Sequence, residues 1–414
     1  MDRPKLLLIT SNFKMGWGGI SSYAYDLIDA LGENYSIDVI TGDKGDYKPK
    51  YCNSIKTFNF KNFKINNAKE LLSLIDYIKP NIILNSNVVL FLLISPFVNN
   101  CIKIISISHF VNGPLSWAAG INAKYQDSII SLSTYGKIYL DKKYRIKNGK
   151  NIVIKNFSKA ISEFVDNKKT NEPQIIVYPG GCSYQKSPEI VAKALLKLLK
   201  DNIDFRFYWI GDTKVAGSSF PIFNISKVED LFSKEDKRIA HIGRINREES
   251  RLLLSKANIF ILPSRGEGLP ISLIEAMSSG CIPIISNAKH GSLDVINNKK
   301  NGLIIPQGNS NLLYNTIKDI LIHKDKYKYI YKNSYETYKK SLSKTIWRGN
   351  MNSVLLKSPR HDNRTTFNKY KYKTQLLLYK KDMIRYWFND RQMVLKQFIL
   401  FKYLFFLSKI WSNK

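Results

Sequence analysis

Short apolar runs alternate with helical stripes from residue 5 to about residue 340, and that alternation is the first structural statement the chain makes. Leu6–Thr10 is a continuous apolar run of the kind a strand buried on both faces requires. Ile20, Tyr23, Ala24, Leu27, Ile28 and Leu31 follow at helical spacing, with Gly32 as a stop. Further strands are expected at Ile37–Thr41, Ile82–Leu84, Ile102–Ile107, Ser128–Leu132 and Ile152–Lys155. Residues 158–173, SKAISEFVDNKKTNEP, are polar and mixed, the composition of a linker. The pattern then restarts. Ile175–Tyr178 reads as a strand, and Pro188–Lys200 as a helix with Ser187 as its cap and Ile190, Val191, Ala194, Leu195 and Leu198 as its inner stripe. Phe205–Ile210, Ala240–Ile242, Ile259–Leu262 and Ile282–Ile285 complete a second parallel set.

Two successive α/β halves place the chain in the α/β class as two Rossmann-like parallel-sheet domains facing a cleft, followed by a helical extension. The expected boundaries are 1–157 for the first domain, 158–173 for the linker and 174–340 for the second domain. Residues 341–357 follow, and a basic, aromatic helical tail occupies 358–414.

The most informative segment is residues 259–286, IFILPSRGEGLPISLIEAMSSGCIPIIS. It reads as strand, tight glycine-containing loop, short helix from Pro270 to the Gly280 stop, and second strand, a right-handed crossover in a parallel sheet. Such sheets bind ligands beyond the carboxyl ends of their strands, where Glu267 lies, and Glu275 one to two turns into the helix can reach the same crevice. The segment resembles the E-x7-E signature of retaining nucleotide-sugar glycosyltransferases of the family 4 kind, which have the two-domain GT-B fold; residues 341–357 resemble the crossover helix that returns to the first domain in that family. That resemblance implies a donor-sugar contact for Glu267 and a grip on the nucleotide's ribose hydroxyls for Glu275, the neighbouring Gly268 and Leu269 joining the donor site. A carboxylate suits a diol because it accepts from both hydroxyls. Two solvated carboxylates near a helix start would be the bland alternative.

Other positions gain weight from this context. Gly16-Trp17-Gly18-Gly19 lies between the first strand and first helix, where Gly18 and Gly19 would let the backbone approach a diphosphate. The third glycine of a G-x-G-x-x-G fingerprint is missing, with Ser21 in its place, so a dehydrogenase using Asp43 on a ribose is a weak runner-up. Lys186, at the end of GGCSYQK, is placed to neutralise a leaving nucleoside diphosphate. The family carries an arginine five residues before this lysine, where this chain has Gly181; Arg265 is the expected substitute, with Arg244 as a weaker candidate. His109 follows a strand, where the family often carries a histidine against the donor sugar. Ser133 and Asn156 match weaker family positions and read mainly as architecture. The expected catalytic set is therefore Glu267, Lys186 and His109; the donor set is Gly18, Gly19, Arg265, Gly268, Leu269 and Glu275. No metal and no cofactor is expected, since the nucleotide-sugar would be a substrate.

Composition trims the alternatives. At 414 residues the chain exceeds one usual core, and 44% hydrophobic content is ordinary. The net charge of +31 calls for anionic partners such as a nucleotide diphosphate, a lipid diphosphate or a membrane surface. The lysines form no single tract and no nucleic-acid module is evident, so nucleic acid is not expected. Four cysteines lack CxxC spacing and five histidines form no cluster, which disfavours a disulfide framework or zinc site. There is no D-x-D motif, P-loop or G-x-S-x-G elbow.

No secretory signal and no membrane span is expected, because Val88–Val98 and Phe398–Leu407 fall far short of ~20 apolar residues. From 360 to 414, 13 Lys/Arg face three Asp among many aromatics, in two expected helices at roughly 371–388 and 391–411. The expected protein is thus cytoplasmic, with this tail docked on the first domain, on the inner membrane face, or both. Its expected reaction moves a sugar from a UDP- or GDP-type donor to a saccharide, polyprenyl-diphosphate-linked, in bacterial surface-polysaccharide assembly. A lapsed enzyme that only binds sugar nucleotide or lipid carrier is the alternative, and Gly181 is its one support.

Overall fold

The structure is a computed structural model, and it describes residues 3–14, 18–43, 45, 47–110, 119–147, 149–161, 173–213, 225–357 and 364–389. Gly16 and Trp17 of the glycine loop, most of the expected linker and the second expected tail helix lie outside the described residues.

Two wholly parallel sheets organise the chain. The first contains β1 (Lys5–Thr10), β2 (Ser36–Thr41), β3 (Cys52–Thr57), β4 (Ile82–Ser86), β5 (Lys103–Ser108), β6 (Ser128–Ser131) and β7 (Asn151–Val153), in the order β3-β2-β1-β4-β5-β6-β7. The second contains β8 (Ile175–Pro179), β9 (Arg206–Ile210), β10 (Ile239–Gly243), β11 (Ile259–Leu262), β12 (Ile282–Ser286) and β13 (Leu303–Ile305), in the order β10-β9-β8-β11-β12-β13. In each sheet the order reverses beside the first strand, and a crevice opens at that switch point. The central strands are apolar because helices cover both faces: Leu6, Leu7, Leu8 and Ile9 are all fully buried, whereas the edge strands β3 and β10 are mostly half-buried or exposed.

The helices follow the stripes. Gly19–Leu31 buries Tyr23, Ala24, Leu27, Ile28 and Leu31, and Pro188–Lys200 buries all five positions of its expected stripe. Two expected caps differ. Ser187 sits in the left-handed region (φ 56°), just after a 3-10 turn that ends at Lys186, and its side chain makes no capping bond. Pro270 is the cap instead of the first helical residue, with an extended ψ of 129°, and the helix runs Ile271–Ser278. The apolar run at residues 88–98 is a buried helix (Val89–Ile94) and a 3-10 turn, and among the described residues no helix is long and apolar enough to cross a membrane.

After the second sheet the helix Lys344–Lys357 returns to the first domain. Trp347 is buried there, stacked on Phe157 at 4.3 Å between ring centroids and edge-on to Tyr23 at 6.1 Å. Lys344 pairs with Asp29 of the first helix and Arg348 with Glu33 just after it. The described part of the tail also docks on the first domain. Helix Lys369–Asn389 buries Tyr372, whose hydroxyl donates to the Phe63 carbonyl at 2.8 Å. Arg364, just before it, is sealed beneath the surface against Asp127 at 2.9 Å.

Candidate active site

The carboxyl ends of the two sheets face each other across a cleft of about 630 Å³. Its floor is narrow because glycine allows it. A Cβ on Gly268 would lie 1.9 Å from the His109 carbonyl oxygen, so the loop carrying Glu267 can approach the end of β5 only without a side chain at 268. Cross-domain hydrogen bonds hold this approach. Asn156 donates to the Leu269 carbonyl at 2.6 Å, the Thr134 amide donates to Asp294 at 2.6 Å, and Lys155 donates to the Asp294 carbonyl at 3.0 Å.

Glu267 and Glu275 both line the cleft, as the strand–loop–helix reading requires. Glu267 forms an ion pair with Lys186 at 2.7 Å, so two residues from different loops of the second domain meet at one point. Lys186 is tied there by a 3-10 turn (Tyr184–Lys186) whose last carbonyl accepts from the Tyr178 hydroxyl at 3.0 Å. Gly18 and Gly19 line the opposite wall. Gly18 has φ 105°, and among the described residues the helix after it has no side-chain cap, so its first amides can meet an anion.

Glu275 is buried and differs from the simple expectation of an open carboxylate. Arg247 donates to it at 2.9 Å and, with the other edge of its guanidinium, makes a two-point contact with Asp26 of the first domain at 2.7 Å each. Burial pushes the Glu275 carboxyl up, and Arg247 opposes that shift without cancelling it. Arg247 is thus the link between the ribose-binding candidate and the first helix of the other domain. The sequence reading missed it. Asn246 and Glu249 form a capping box that starts helix Arg247–Lys256, and that S/T/D/N-x-x-E signal was available in the sequence.

His109 is almost fully buried, with Nε2 2.8 Å from the Ser86 hydroxyl and its ring edge-on to Tyr23 at 4.9 Å. Burial lowers its pKa to about 3, which keeps the imidazole neutral, a group able to hydrogen-bond a sugar without carrying charge. A second histidine, His290, was not singled out. It follows β12, accepts from the Ser292 amide at 3.2 Å through Nδ1, and contacts the Ser286 hydroxyl through Nε2 at 3.3 Å. The Nδ1 contact requires a neutral ring with its proton on Nε2, consistent with burial lowering its pKa to about 4. Ser286 in turn donates to the Ser264 carbonyl at 2.5 Å, so this chain of contacts braces the loop that carries Glu267. Its signal was position, at the carboxyl end of a parallel strand.

The structure places Arg265 elsewhere than expected. It pairs with Glu189, lies over the Tyr184 ring at 4.1 Å and is not among the cleft-lining residues. The carboxylate and ring on its own side of the loop hold it more strongly than open solvent in the cleft would. Arg244 pairs with Asp212 at the surface. Neither fills the space beside Gly181, where a Cβ would meet only Asp212 backbone atoms at 3.7 Å. Ser133 accepts from the Gly136 amide as a helix cap, the architectural role expected of it. Among the described residues no group of three or more His, Cys, Asp or Glu side chains converges as a metal ion would need.

Comparison with known proteins bears on the family and the fold. Residues 160–337 match the family described as glycosyl transferases group 1. An uncharacterized glycosyltransferase, MJ1178, of Methanocaldococcus jannaschii is 27% identical over 215 residues, 52% of this chain and 55% of that protein. The UDP-Gal:alpha-D-GlcNAc-diphosphoundecaprenol alpha-1,3-galactosyltransferase of Escherichia coli is 28% identical over 123 residues, 29% of this chain and 30% of that protein. The chain therefore spans about half, or less, of the length of these curated relatives. The fold as a whole is that of Anabaena HepE solved with UDP-glucose: TM-score 0.69, 14% identity, covering 85% of this chain and 99% of that one.

Proposed function

Residues 160–337 being a domain of the glycosyl transferases group 1 family, we propose that this chain is a retaining glycosyltransferase that takes a UDP- or GDP-activated sugar. The observation that carries the reading is the convergence of Glu267, Lys186 and Glu275 on one cleft between two parallel sheets. In this reading the second domain holds the donor and the first the acceptor. Glu275 accepts from the ribose hydroxyls, Glu267 from the donor sugar, and neutral His109 orients the sugar from the opposite wall. The free amides after Gly18 and the Lys186 ammonium stabilise charge on the diphosphate.

The chemistry is a same-face displacement. The bond from the sugar's anomeric carbon to the phosphate oxygen breaks, and the diphosphate leaves with the electron pair. The acceptor hydroxyl oxygen bonds to that carbon from the same side, and its proton passes to the departing phosphate oxygen. The protein supplies positioning and charge stabilisation, with no side-chain nucleophile needed.

For the acceptor we propose a polyprenyl-diphosphate-linked saccharide of bacterial surface-polysaccharide assembly, the acceptor class named for the Escherichia coli relative. The outward face of helix Lys369–Asn389 exposes Tyr370, Leu377 and Leu378 beside Lys369, Lys373 and Lys381, a composition suited to an anionic leaflet at the cytoplasmic face. The deciding experiment incubates the chain with UDP- and GDP-sugars and a synthetic polyprenyl-diphosphate saccharide, reading nucleotide release and the anomeric configuration by NMR. Retention with Glu275-dependent release is expected. Donor binding without release would establish the lapsed binder, and inversion would remove the same-face route. Co-sedimentation with anionic vesicles, compared between the full chain and a chain ending at residue 357, tests the membrane contact; equal binding by both would move it off the tail.

A further inference from the structure

A second cavity of about 830 Å³ lies beside the cleft, at the carboxyl ends of β1 to β4, and shares Ser11 and Asn12 with it as a common wall. Nothing in the transfer chemistry uses it. Its far side is built from Asp43 after β2, Phe58 and Phe60 after β3, and Asn87 after β4. Asn87 is the informative residue. Its backbone is left-handed (φ 60°), its side chain is buried to 6% exposure, and neither its amide nitrogen nor its amide oxygen has a partner among the described residues. A buried amide with both ends unsatisfied is costly, and a strained backbone that holds it at a cavity wall marks a place built to meet a ligand.

The lining identifies that ligand's chemistry. In a chain with 64 Lys and Arg, this cavity carries one cation, Lys61, and one anion, Asp43. It is therefore not a phosphate or lipid-headgroup site. Phe58 and Phe60 stand with ring centroids 5.4 Å apart, giving an apolar aromatic wall, while Asp43, Asn59 and Asn87 supply acceptors and donors around it. An aromatic face together with convergent amides and one carboxylate suits a pyranose, which presents a C–H face and a rim of hydroxyls. We propose that this cavity is a subsite for an uncharged sugar of the acceptor, one unit removed from the sugar that is extended in the cleft. The shared wall at Ser11 and Asn12 lets one oligosaccharide run through both. A turn of the Asn87 side chain toward the cavity then brings its amide, which the wall covers as it stands, onto adjacent hydroxyls, and Asp43 accepts from a third. The proposal rests on the transferase reading for the identity of the acceptor, though not for the binding of sugar.

The test is ligand-observed saturation-transfer NMR on the full chain with maltose, cellobiose, lactose and N,N'-diacetylchitobiose, each with and without saturating UDP, and with NAD as a nucleotide control. At least one disaccharide is expected to bind and to stay bound in the presence of UDP. Asn87→Gly keeps the left-handed backbone and removes the amide, and it should weaken that binding roughly ten-fold; Asp43→Asn, at an exposed position, should weaken it about three-fold. UDP affinity should be unchanged in both variants. Disaccharide binding that UDP abolishes, or that both variants leave intact, overturns the subsite. So does NAD binding that depends on Asn87 and Asp43, or the absence of any disaccharide binding while UDP binds. Disaccharide binding through Asn87 without UDP binding would instead sink the transferase reading and leave the subsite standing.

Discussion

Arg247 and Arg364 each tie distant parts of the chain together, and they are built in opposite ways. Arg364 joins the C-terminal extension to the first domain with its side chain 1% exposed. Besides Asp127, it donates to the carbonyls of Ile102, Asn99 and Tyr125 at 2.5, 3.0 and 3.1 Å. Arg247 joins the two domains through carboxylates at 2.9 Å or less, with one long contact to the Ser158 hydroxyl at 3.5 Å, and it faces the cleft. Backbone carbonyls cannot leave, so Arg364 has one arrangement. Two carboxylates on separate domains, one of them a ligand-binding candidate, can exchange partners when a nucleotide arrives. The number of charges is similar at the two places; what differs is whether the neighbours are fixed.

Breaking the fixed one should have the largest effect. Arg364→Leu leaves Asp127 buried and uncompensated, and the first domain should lose about 3–5 kcal/mol in urea unfolding. Asp127→Asn in the same chain should restore part of that loss by removing the stranded charge. A single-variant loss under about 1 kcal/mol would mean that water reaches Asp127 and that the contrast with Arg247 fails.

In the cleft the effects should appear in function first. Lys186→Ala should lower kcat by about 10²–10³-fold, the usual size for removing one group that stabilises developing charge, with a smaller change in donor affinity. Steady-state kinetics with the donor found to react would measure both, and an unchanged kcat would send the search for the phosphate contact to Arg247. Glu275→Gln should weaken nucleotide binding about ten- to a hundred-fold by calorimetry, the range for losing a charged hydrogen bond. Unchanged affinity would take Glu275 out of the site.

Arg247 sharpens the comparison through pH. Burial already raises the Glu275 pKa, and Arg247 restrains the rise. A protonated Glu275 no longer accepts from both hydroxyls, so nucleotide affinity should fall as pH drops through that raised value. In Arg247→Met the restraint is gone, and the fall should begin at higher pH. Coincident pH profiles for the two proteins would show that Arg247 does not set the charge on Glu275. The buried histidines act on stability in the same direction. His109 and His290 are held near pKa 3 and 4 when folded and return to about 6.5 when unfolded, so the unfolded chain binds more protons between those values. Stability is complete above about pH 6.5 and falls as the pH drops below it, by up to about 1.4 kcal/mol per pH unit for each ring. His290→Asn should flatten that slope in urea midpoints taken between pH 7 and 4.

Which parts of this were legible beforehand follows from range. Strands such as Leu6–Thr10 and the stripe of Pro188–Lys200 were readable because their patterns are local and strongly apolar. The common place of Glu267, Glu275 and Lys186 in the cleft was legible because loop, helix and strand order puts them at one sheet end and the segment resembles a known signature. Cross-domain partners were not. Asp26 and Arg247 lie 221 residues apart, and no periodicity connects them. Ser187 looked like a cap because its residue type fits, but the 3-10 turn before it forces φ 56° and turns the side chain away. Arg265 looked available to a phosphate until Glu189, 76 residues earlier, proved to be beside it.

The smallest expected effect is also the most pointed test of the cleft as a flexible electrostatic site. Gly181 stands where the resemblance calls for an arginine, and its backbone is not left-handed. A Cβ there meets Asp212 backbone atoms at an ordinary 3.7 Å, so Gly181→Arg needs no movement of the main chain and should change stability by no more than about 0.5 kcal/mol. The new guanidinium would project from the loop that ends in Lys186, with Asp212 close by and already paired to Arg244. If the loop faces the diphosphate, turnover should stay level or rise a few-fold, and the Lys186→Ala defect should become smaller in the double variant because a second cation shares its work. Measuring kcat for the four chains of that cycle gives the coupling directly. Strict additivity, with Gly181→Arg neutral alone, would mean that the two positions do not act on the same charge, and the Lys186 assignment would then rest on its pairing with Glu267 alone.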